Sequence, residues 1–101
     1  MMTPIKLNEK VVCADGFEMS VQAHEGAYCE PRINGASRYS SCEVGYPSTA
    51  EELILQYAEE QDRPTETVYG WVPCQTVALV IAKHGGMVSG EVPAGVAELR
   101  A

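Results

Sequence analysis

The residues with the most distinctive chemistry in this sequence are cysteines and histidines, which can bind metal ions or act in nucleophilic catalysis. They are spread along the whole chain, at Cys13, His24, Cys29, Cys42, Cys74 and His84. A structural zinc site takes four ligands, usually supplied as two closely spaced pairs. Only His24 and Cys29 are close in sequence here, and no CxxC pair occurs. The spacing therefore predicts no metal site, and we expect no cofactor.

Cys74 is the only cysteine with a physical reason to be reactive. We predict that it lies in the first turn of a helix, where the helix dipole favours a thiolate. A nucleophilic cysteine also needs a base within hydrogen-bond distance. His84 ends the same predicted helix, roughly 15 Å away, and is interpreted as a C-terminal cap. A thiol enzyme or a small ligand- or metal-binding protein that uses Cys29, Cys74 and His24 is thus the alternative function. The favoured interpretation is that the cysteines are reduced apolar residues of a protein that is not an enzyme.

Acidic residues are concentrated in one stretch of the chain. The whole sequence carries 14 acidic and 7 basic residues, a net charge of −7. Between residues 51 and 66 six acids and one arginine give −5, the acids being Glu51, Glu52, Glu59, Glu60, Asp62 and Glu66. Such a charge disfavours direct binding of nucleic acid or of an anionic membrane. It is either a solubilising helix face or a docking surface for a basic partner protein, and complementary charge would speed association with such a partner.

Aromatic residues can anchor an interface of this kind. The five tyrosines and Trp71 are the candidates, since buried aromatic side chains carry much of the binding energy in protein interfaces. The predicted loop 24–37 contributes Tyr28 and Arg32, and long loops in small domains are often functional. We therefore predict that Tyr28, Arg32 and Tyr57 join the acidic residues in binding a partner.

These residues must be positioned by the strands of a sheet, of which four are predicted between residues 5 and 72. Apolar residues favour one strand or a short irregular pair over 5–14, and the Asp15-Gly16 dipeptide predicts a hairpin turn. Strict alternation of apolar and polar residues predicts a strand over 17–23. Further strands are predicted at 38–46 and 67–72, the latter rich in β-branched and aromatic residues.

Two helices are predicted after the third strand. Ser48 and Glu51 fit the capping-box pattern that starts a helix. That helix would run for about three turns to the stop at Gln61–Pro64, with Leu53, Ile54 and Tyr57 facing the core. Pro73 is suited to open the second helix, and Gly85-Gly86 to end it near residue 84. A short edge strand at 87–88 and a loose tail at 89–101 complete the chain.

Length and composition favour a single domain. The chain has 101 residues, of which 46% are apolar and 21% charged, values typical of one globular domain. The predicted class is α+β: a small, mostly antiparallel sheet of 4–5 strands with two helices packed on one face. The first ten residues have no apolar run of signal-peptide length and no stretch is long enough to span a membrane, so we expect a cytoplasmic protein.

Four short segments stand out for their residue combinations: Tyr28-Cys29-Glu30-Pro31-Arg32, Glu43-Val44-Gly45-Tyr46-Pro47-Ser48, Thr67-Val68-Tyr69-Gly70-Trp71-Val72-Pro73 and Lys83-His84-Gly85-Gly86. On these segments the chain resembles small proteins of bacteriophages and mobile elements. As a class, small acidic proteins of this kind resemble anti-CRISPR proteins. The resemblance implies an inhibitor that acts in a bacterial host cell by binding a CRISPR effector or another defence complex, sometimes by occupying a nucleic-acid path. An obligate homodimer with a structural role is a third hypothesis.

Overall fold

Five short strands form one antiparallel sheet in the computed structural model, which describes residues 6–101. The strands are β1 (Val11–Cys13), β2 (Glu18–Gln22), β3 (Ser41–Gly45), β4 (Val68–Pro73) and β5 (Met87–Ser89). Their order in the sheet is β4-β3-β2-β1-β5. One helix, α1 (Cys74–Lys83), follows β4 directly, and Leu55–Tyr57 form a 3-10 turn. The predicted α+β class and antiparallel sheet are confirmed.

Alternation of apolar and polar residues explains the inner strands. In β2, Met19 and Val21 are fully buried, while the polar residues that alternate with them, Glu18, Ser20 and Gln22, are half-buried. The first strand is shorter than the predicted 5–14, and Ile5 lies outside the described residues. Asn8 pairs with β2 through its side chain, which donates to the Val21 carbonyl at 3.1 Å. Since the side chain replaces the backbone there, the regular ladder starts only at Val11.

Helix α1 covers the apolar face of β3 and β4. Its buried residues are Cys74, Val77, Val80 and Ile81, spaced as one face of a helix requires. Pro73 is the N-cap, and Gly85 and Gly86 follow the last turn with φ of +93° and +90°. Only glycine adopts such angles without strain, so the predicted second helix is confirmed with both of its end signals. No helix within residues 6–101 is long and apolar enough to cross a membrane.

The predicted first helix does not form, and the prediction of two helices is wrong. Residues 48–60 contain turns and the single 3-10 turn instead. Ser48 does not cap a helix, because its hydroxyl accepts a hydrogen bond from the Glu18 backbone at 2.9 Å. The Glu51 side chain turns into the protein, and Leu53, predicted to be inside, is 38% exposed. Long-range contacts of these side chains thus override the local capping pattern.

The tail at 89–101, predicted to be loose, makes backbone hydrogen bonds with two parts of the domain. The Ala94 carbonyl accepts from Tyr39 at 2.9 Å, and the Leu99 carbonyl accepts from Met87 at 2.8 Å. Val96 is buried. Gly95 has a φ of +108°, and a Cβ at this position would overlap the Tyr39 carbonyl. A glycine is therefore needed where the tail crosses the chain near Tyr39.

Candidate functional site

The acidic residues do not share one helix face, because the helix that would carry them is absent. Glu52 is exposed beside Lys83, with 4.0 Å between the charged atoms. Four others lie in a turn-rich segment, residues 59–66, which we name the acidic loop; they are Glu59, Glu60, Asp62 and Glu66. All four are exposed, and Glu66 is paired with Arg63 at 3.1 Å. Within residues 6–101, no basic side chain lies within 4.0 Å of the other three.

Hydrogen bonds hold the start of the acidic loop to the residues that directly follow the loop, Thr67 and Val68. The Glu59 backbone donates to the Val68 carbonyl at 2.9 Å, and the Glu60 backbone donates to the Thr67 hydroxyl at 3.1 Å. Inside the loop, the hydroxyl of the buried Tyr69 donates to the Pro64 carbonyl. The carboxylates are therefore presented from an anchored segment, which lowers the entropy lost when a partner binds.

Glu51 differs from the other five predicted acids, because it is buried. Its side chain is 1% exposed and accepts hydrogen bonds from the Leu53 backbone at 2.9 Å and from the Lys83 ammonium at 2.9 Å. The other carboxylate oxygen lies 2.7 Å from Nε2 of His84, whose Nδ1 lies 2.6 Å from Asp15. In this arrangement Glu51 is not available to a partner, and its carboxylate instead ties residues 51–53 to the end of α1.

Charge pairing in this network shifts the pKa of every member. Burial alone would lower the pKa of His84, but the Asp15 and Glu51 carboxylates outweigh it and raise that pKa above 6.5. Burial would raise the pKa of Glu51, but the Leu53 N–H, Lys83 and His84 together lower it below 4.5. Both ring nitrogens of His84 are engaged and the ring stacks on Phe17 with centroids 4.0 Å apart. The two carboxylates therefore favour the protonated form of His84 and hold its ring in place between Asp15 and Glu51.

An open aromatic cleft adjoins the acidic loop. Its volume is about 350 Å³, and its lining residues are Tyr28, Tyr57, Glu59, Val68, Gly70 and Trp71. Tyr28 and Trp71 stack with ring centroids 5.0 Å apart, and the Arg32 guanidinium lies 5.4 Å from the Tyr28 ring centre. Three of the predicted partner-binding residues, Tyr28, Tyr57 and Glu59, thus line one cleft, and a fourth, Arg32, contacts the Tyr28 ring.

Trp71 reaches the surface because β4 contains a bulge. Opposite Glu43 of β3, the register shifts between Cys42–Val72 and Val44–Tyr69. Trp71 takes a φ of +52° there and remains 50% exposed. Its backbone N–H donates to the Tyr28 carbonyl at 2.9 Å, which fixes the loop against the strand. Sequence reasoning counted Trp71 only as one of several aromatic anchors, although a glycine inside a strand pattern is a signal of a bulge.

Gly70 lets Tyr28 lie directly against β4. A Cβ at Gly70 would be 3.3 Å from the Cβ of Tyr28, tighter than ordinary contact. The loop around Tyr28 is also held by Glu43, whose carboxylate accepts from the Tyr28 backbone at 3.1 Å. The aromatic pair is therefore built by specific backbone contacts from two segments that are far apart in sequence.

The residues of the alternative function are not joined in one site. Among residues 6–101, no group of three histidine, cysteine or acidic side chains is arranged to hold a metal ion. His24 accepts a hydrogen bond from the Gly26 backbone, and the Cys29 thiol donates to the His24 carbonyl at 3.3 Å. Cys74 contacts Cys42 and the Tyr39 carbonyl. All four cysteines are free and buried.

Comparisons with protein-family models, curated proteins and solved structures found no match to this chain.

Proposed function

We propose that this protein is a binding module that docks on a basic surface of another protein through the aromatic cleft and the acidic loop. The observation that carries the proposal is the meeting of exposed aromatic rings with carboxylates that have no basic partner within residues 6–101. Glu59 belongs to both features, since it lines the cleft and begins the acidic loop. Aromatic anchors beside a complementary charge are the usual composition of an interface hot spot.

The chemistry of the cleft suits a cationic side chain of the partner. A guanidinium or ammonium group over an aromatic face gains about 0.5–2 kcal/mol, with the larger value where water is excluded. Glu59 offers a counter-charge at the same place. The guanidinium of the exposed Arg32 lies over the Tyr28 ring of the same chain, 5.4 Å from its centre, which is an example of such a contact within this protein. An arginine or lysine of the partner would extend that stack over the exposed Trp71.

The particular form of the function follows from the resemblance and from the charge. We propose that the protein acts, like anti-CRISPR proteins, as an inhibitor that binds a host defence complex. The carboxylates of Glu59, Glu60 and Asp62 would then compete with phosphate groups for a basic surface. This mechanism uses no catalytic group and no cofactor.

A synthetic peptide of alternating arginine and glycine tests the docking chemistry before the partner is known. Trp71 is the only tryptophan, so its fluorescence reports binding at the cleft. We expect the arginine peptide to quench it, and a matched peptide with neutral citrulline to bind about tenfold more weakly, the loss of about 1.4 kcal/mol. The Glu59→Lys/Glu60→Lys variant should lose a similar factor.

A second double variant, Glu9→Lys/Glu98→Lys, controls for net charge, because both residues are exposed and lie outside the cleft and the acidic loop. It should bind the arginine peptide with nearly wild-type affinity. The same three proteins, used to capture partners from a bacterial lysate, should show one partner that is retained by wild type and control and lost from the cleft variant. Equal binding of the citrulline peptide, or equal losses in both double variants, would contradict the proposal.

A further inference from the structure

Two cysteine thiols lie in contact inside the protein. Cys42 in β3 and Cys74 at the start of α1 have their Sγ atoms 3.5 Å apart, although 32 residues separate them in sequence. Cys42 is paired with Val72 across the sheet, and β4 passes into α1 only two residues later. The direct junction between strand and helix therefore brings the two sulfurs together. A disulfide bond length of about 2.05 Å requires that they approach by about 1.5 Å.

The two thiols differ in their access to solvent. A cavity of about 460 Å³ is lined by Cys74 but not by Cys42, and its other lining residues include Arg38, Gln75 and Ala97. Cys74 is 7% exposed, whereas Cys42 is fully buried. Cys74 also lies in the first turn of the ten-residue helix α1, beside the cavity. Cys74 is therefore the thiol that an incoming reagent meets first.

Cys42 is suited to react second. Burial, followed by the neighbouring Cys74, raises the pKa of Cys42, and the contribution of Cys74 is lost once its sulfur is bonded in a mixed disulfide. Arg38 at the cavity wall supplies a positive charge. That charge complements the carboxylates of a small peptide disulfide of the glutathione class.

We propose that Cys74 and Cys42 form a thiol–disulfide exchange site for small disulfides of the glutathione class. The Cys74 thiolate attacks one sulfur of the disulfide, whose S–S bond breaks, and one glutathione leaves as a thiolate that takes up a proton. Cys42 then loses its proton and attacks Sγ of Cys74, which releases the second glutathione as a thiol. Two protein thiols are oxidised to one disulfide, and one small disulfide is reduced to two thiols.

The other two cysteines serve as internal controls. Cys13 and Cys29 are also buried, and the Cys29 thiol donates to the His24 and Pro31 carbonyls at 3.3 and 3.4 Å, much as the Cys74 thiol donates to the Tyr39 carbonyl at 3.2 Å. Within the described residues, neither sulfur makes a contact like that between Cys42 and Cys74. Burial alone therefore predicts equal behaviour of all four thiols, whereas the exchange site predicts that only two react.

Oxidised glutathione added to the folded protein tests the proposal. After acid quenching, unfolding and alkylation of the remaining thiols, peptide mass spectrometry should find a disulfide between Cys42 and Cys74, with Cys13 and Cys29 alkylated. Cys42→Ala should stop the reaction at a glutathione adduct on Cys74, and Cys74→Ala should prevent any adduct on Cys42. Circular dichroism establishes that each variant is folded, and the wild-type peptide map decides the pairing even where a variant does not fold.

Several results would overturn the proposal. One is the recovery of all four thiols as alkylated cysteines under conditions that fully oxidise a reference dithiol peptide. A disulfide that includes Cys13 or Cys29 is another, as is an adduct on Cys42 in the Cys74→Ala variant. Oxidation at the rate of global unfolding, measured separately in denaturant, would likewise show that the folded protein has no exchange site.

Discussion

Replacing Glu51 with glutamine exchanges one buried carboxylate oxygen for an amide group and should remove a substantial part of the protein's stability. The carboxylate accepts a hydrogen bond from the Leu53 backbone and lies 2.7 Å from Nε2 of His84. A hydrogen bond to a charged group contributes about 1.5–3 kcal/mol, against about 0.5–1.5 kcal/mol for a neutral one. Two bonds weakened by about 1 kcal/mol each give a loss of about 2 kcal/mol. The Lys83 ammonium is 43% exposed, and its pairing adds little.

The pH dependence of stability separates this network from simple packing. The pKa of His84 is raised in the folded protein, so its stabilising effect is complete below pH 6.5 and is lost as the pH rises through the folded value. The pKa of Glu51 is lowered, so its effect is complete above pH 4.5 and is lost as the pH falls through the folded value. In the wild-type protein, the network therefore contributes most to the free energy of unfolding between pH 4.5 and 6.5. Glu51→Gln should flatten the decline above that window, because His84 keeps only Asp15 as a carboxylate partner.

Urea unfolding at a series of pH values, followed by circular dichroism, measures both effects. Near pH 6 a loss of about 2 kcal/mol would also lower the thermal midpoint by about 8–16 °C in a domain of this size. Glu52→Gln is the matched control, since that side chain is 86% exposed, and should change the stability by less than about 0.5 kcal/mol. Equal effects of the two variants would refute the assigned role of Glu51. A stability loss with an unchanged pH profile would refute its coupling to His84.

Two backbone features give further predictions. At Trp71, where φ is +52°, glycine relieves a strain of about 1–2 kcal/mol that alanine keeps. Trp71→Gly should therefore be at least as stable in urea unfolding as Trp71→Ala. Both variants should lose binding of the arginine peptide, which is measured by calorimetry because the fluorescent tryptophan is gone. The reverse order of stability would contradict the bulge geometry. At Gly95, an alanine Cβ would overlap the Tyr39 carbonyl, in addition to the strain at a φ of +108°. At Gly16, where φ is +93°, a Cβ would meet open space. Gly95→Ala should therefore lower the free energy of unfolding by about 1–3 kcal/mol more than Gly16→Ala. Equal losses would mean that the tail does not hold its position against Tyr39.

The strands and the helix that depend on residues close together in the sequence could be predicted. Alternation over 17–23 corresponds to β2, and Pro73 with Gly85-Gly86 corresponds to the two ends of α1. These signals are local, because a strand's exposed face and a helix's ends are encoded within a few residues. The same local reasoning failed at residues 48–60, where Glu51 bonds to Lys83 and His84, 32 and 33 residues away.

The sequence indicated some residues of the cleft but not their geometry. Glu59 was named from the charge, Tyr57 from the aromatic content and Tyr28 and Arg32 from the 24–37 loop; Tyr28, Tyr57 and Glu59 line the cleft, and Arg32 contacts the Tyr28 ring. Their arrangement depends on the bulge in β4 and on the hydrogen bond from the Trp71 backbone to the Tyr28 carbonyl. Neither feature can be predicted from a periodic pattern of apolar and polar residues. Glu51 could not be separated from its acidic neighbours, because its distinction lies in partners that only the fold brings near it.

Two exposed aromatic residues adopt left-handed backbone angles next to the acidic loop. Tyr46 has a φ of +48°, is 58% exposed, and donates from its backbone to the Thr67 carbonyl, directly after Glu66. Trp71 has the same kind of angle and shares the cleft with Glu59. A left-handed angle in a residue other than glycine costs about 1–2 kcal/mol, and a half-exposed ring recovers only part of its burial energy. Both residues therefore carry a backbone cost of about 1–2 kcal/mol, and in the proposed complex the burial of their rings against the partner would offset that cost.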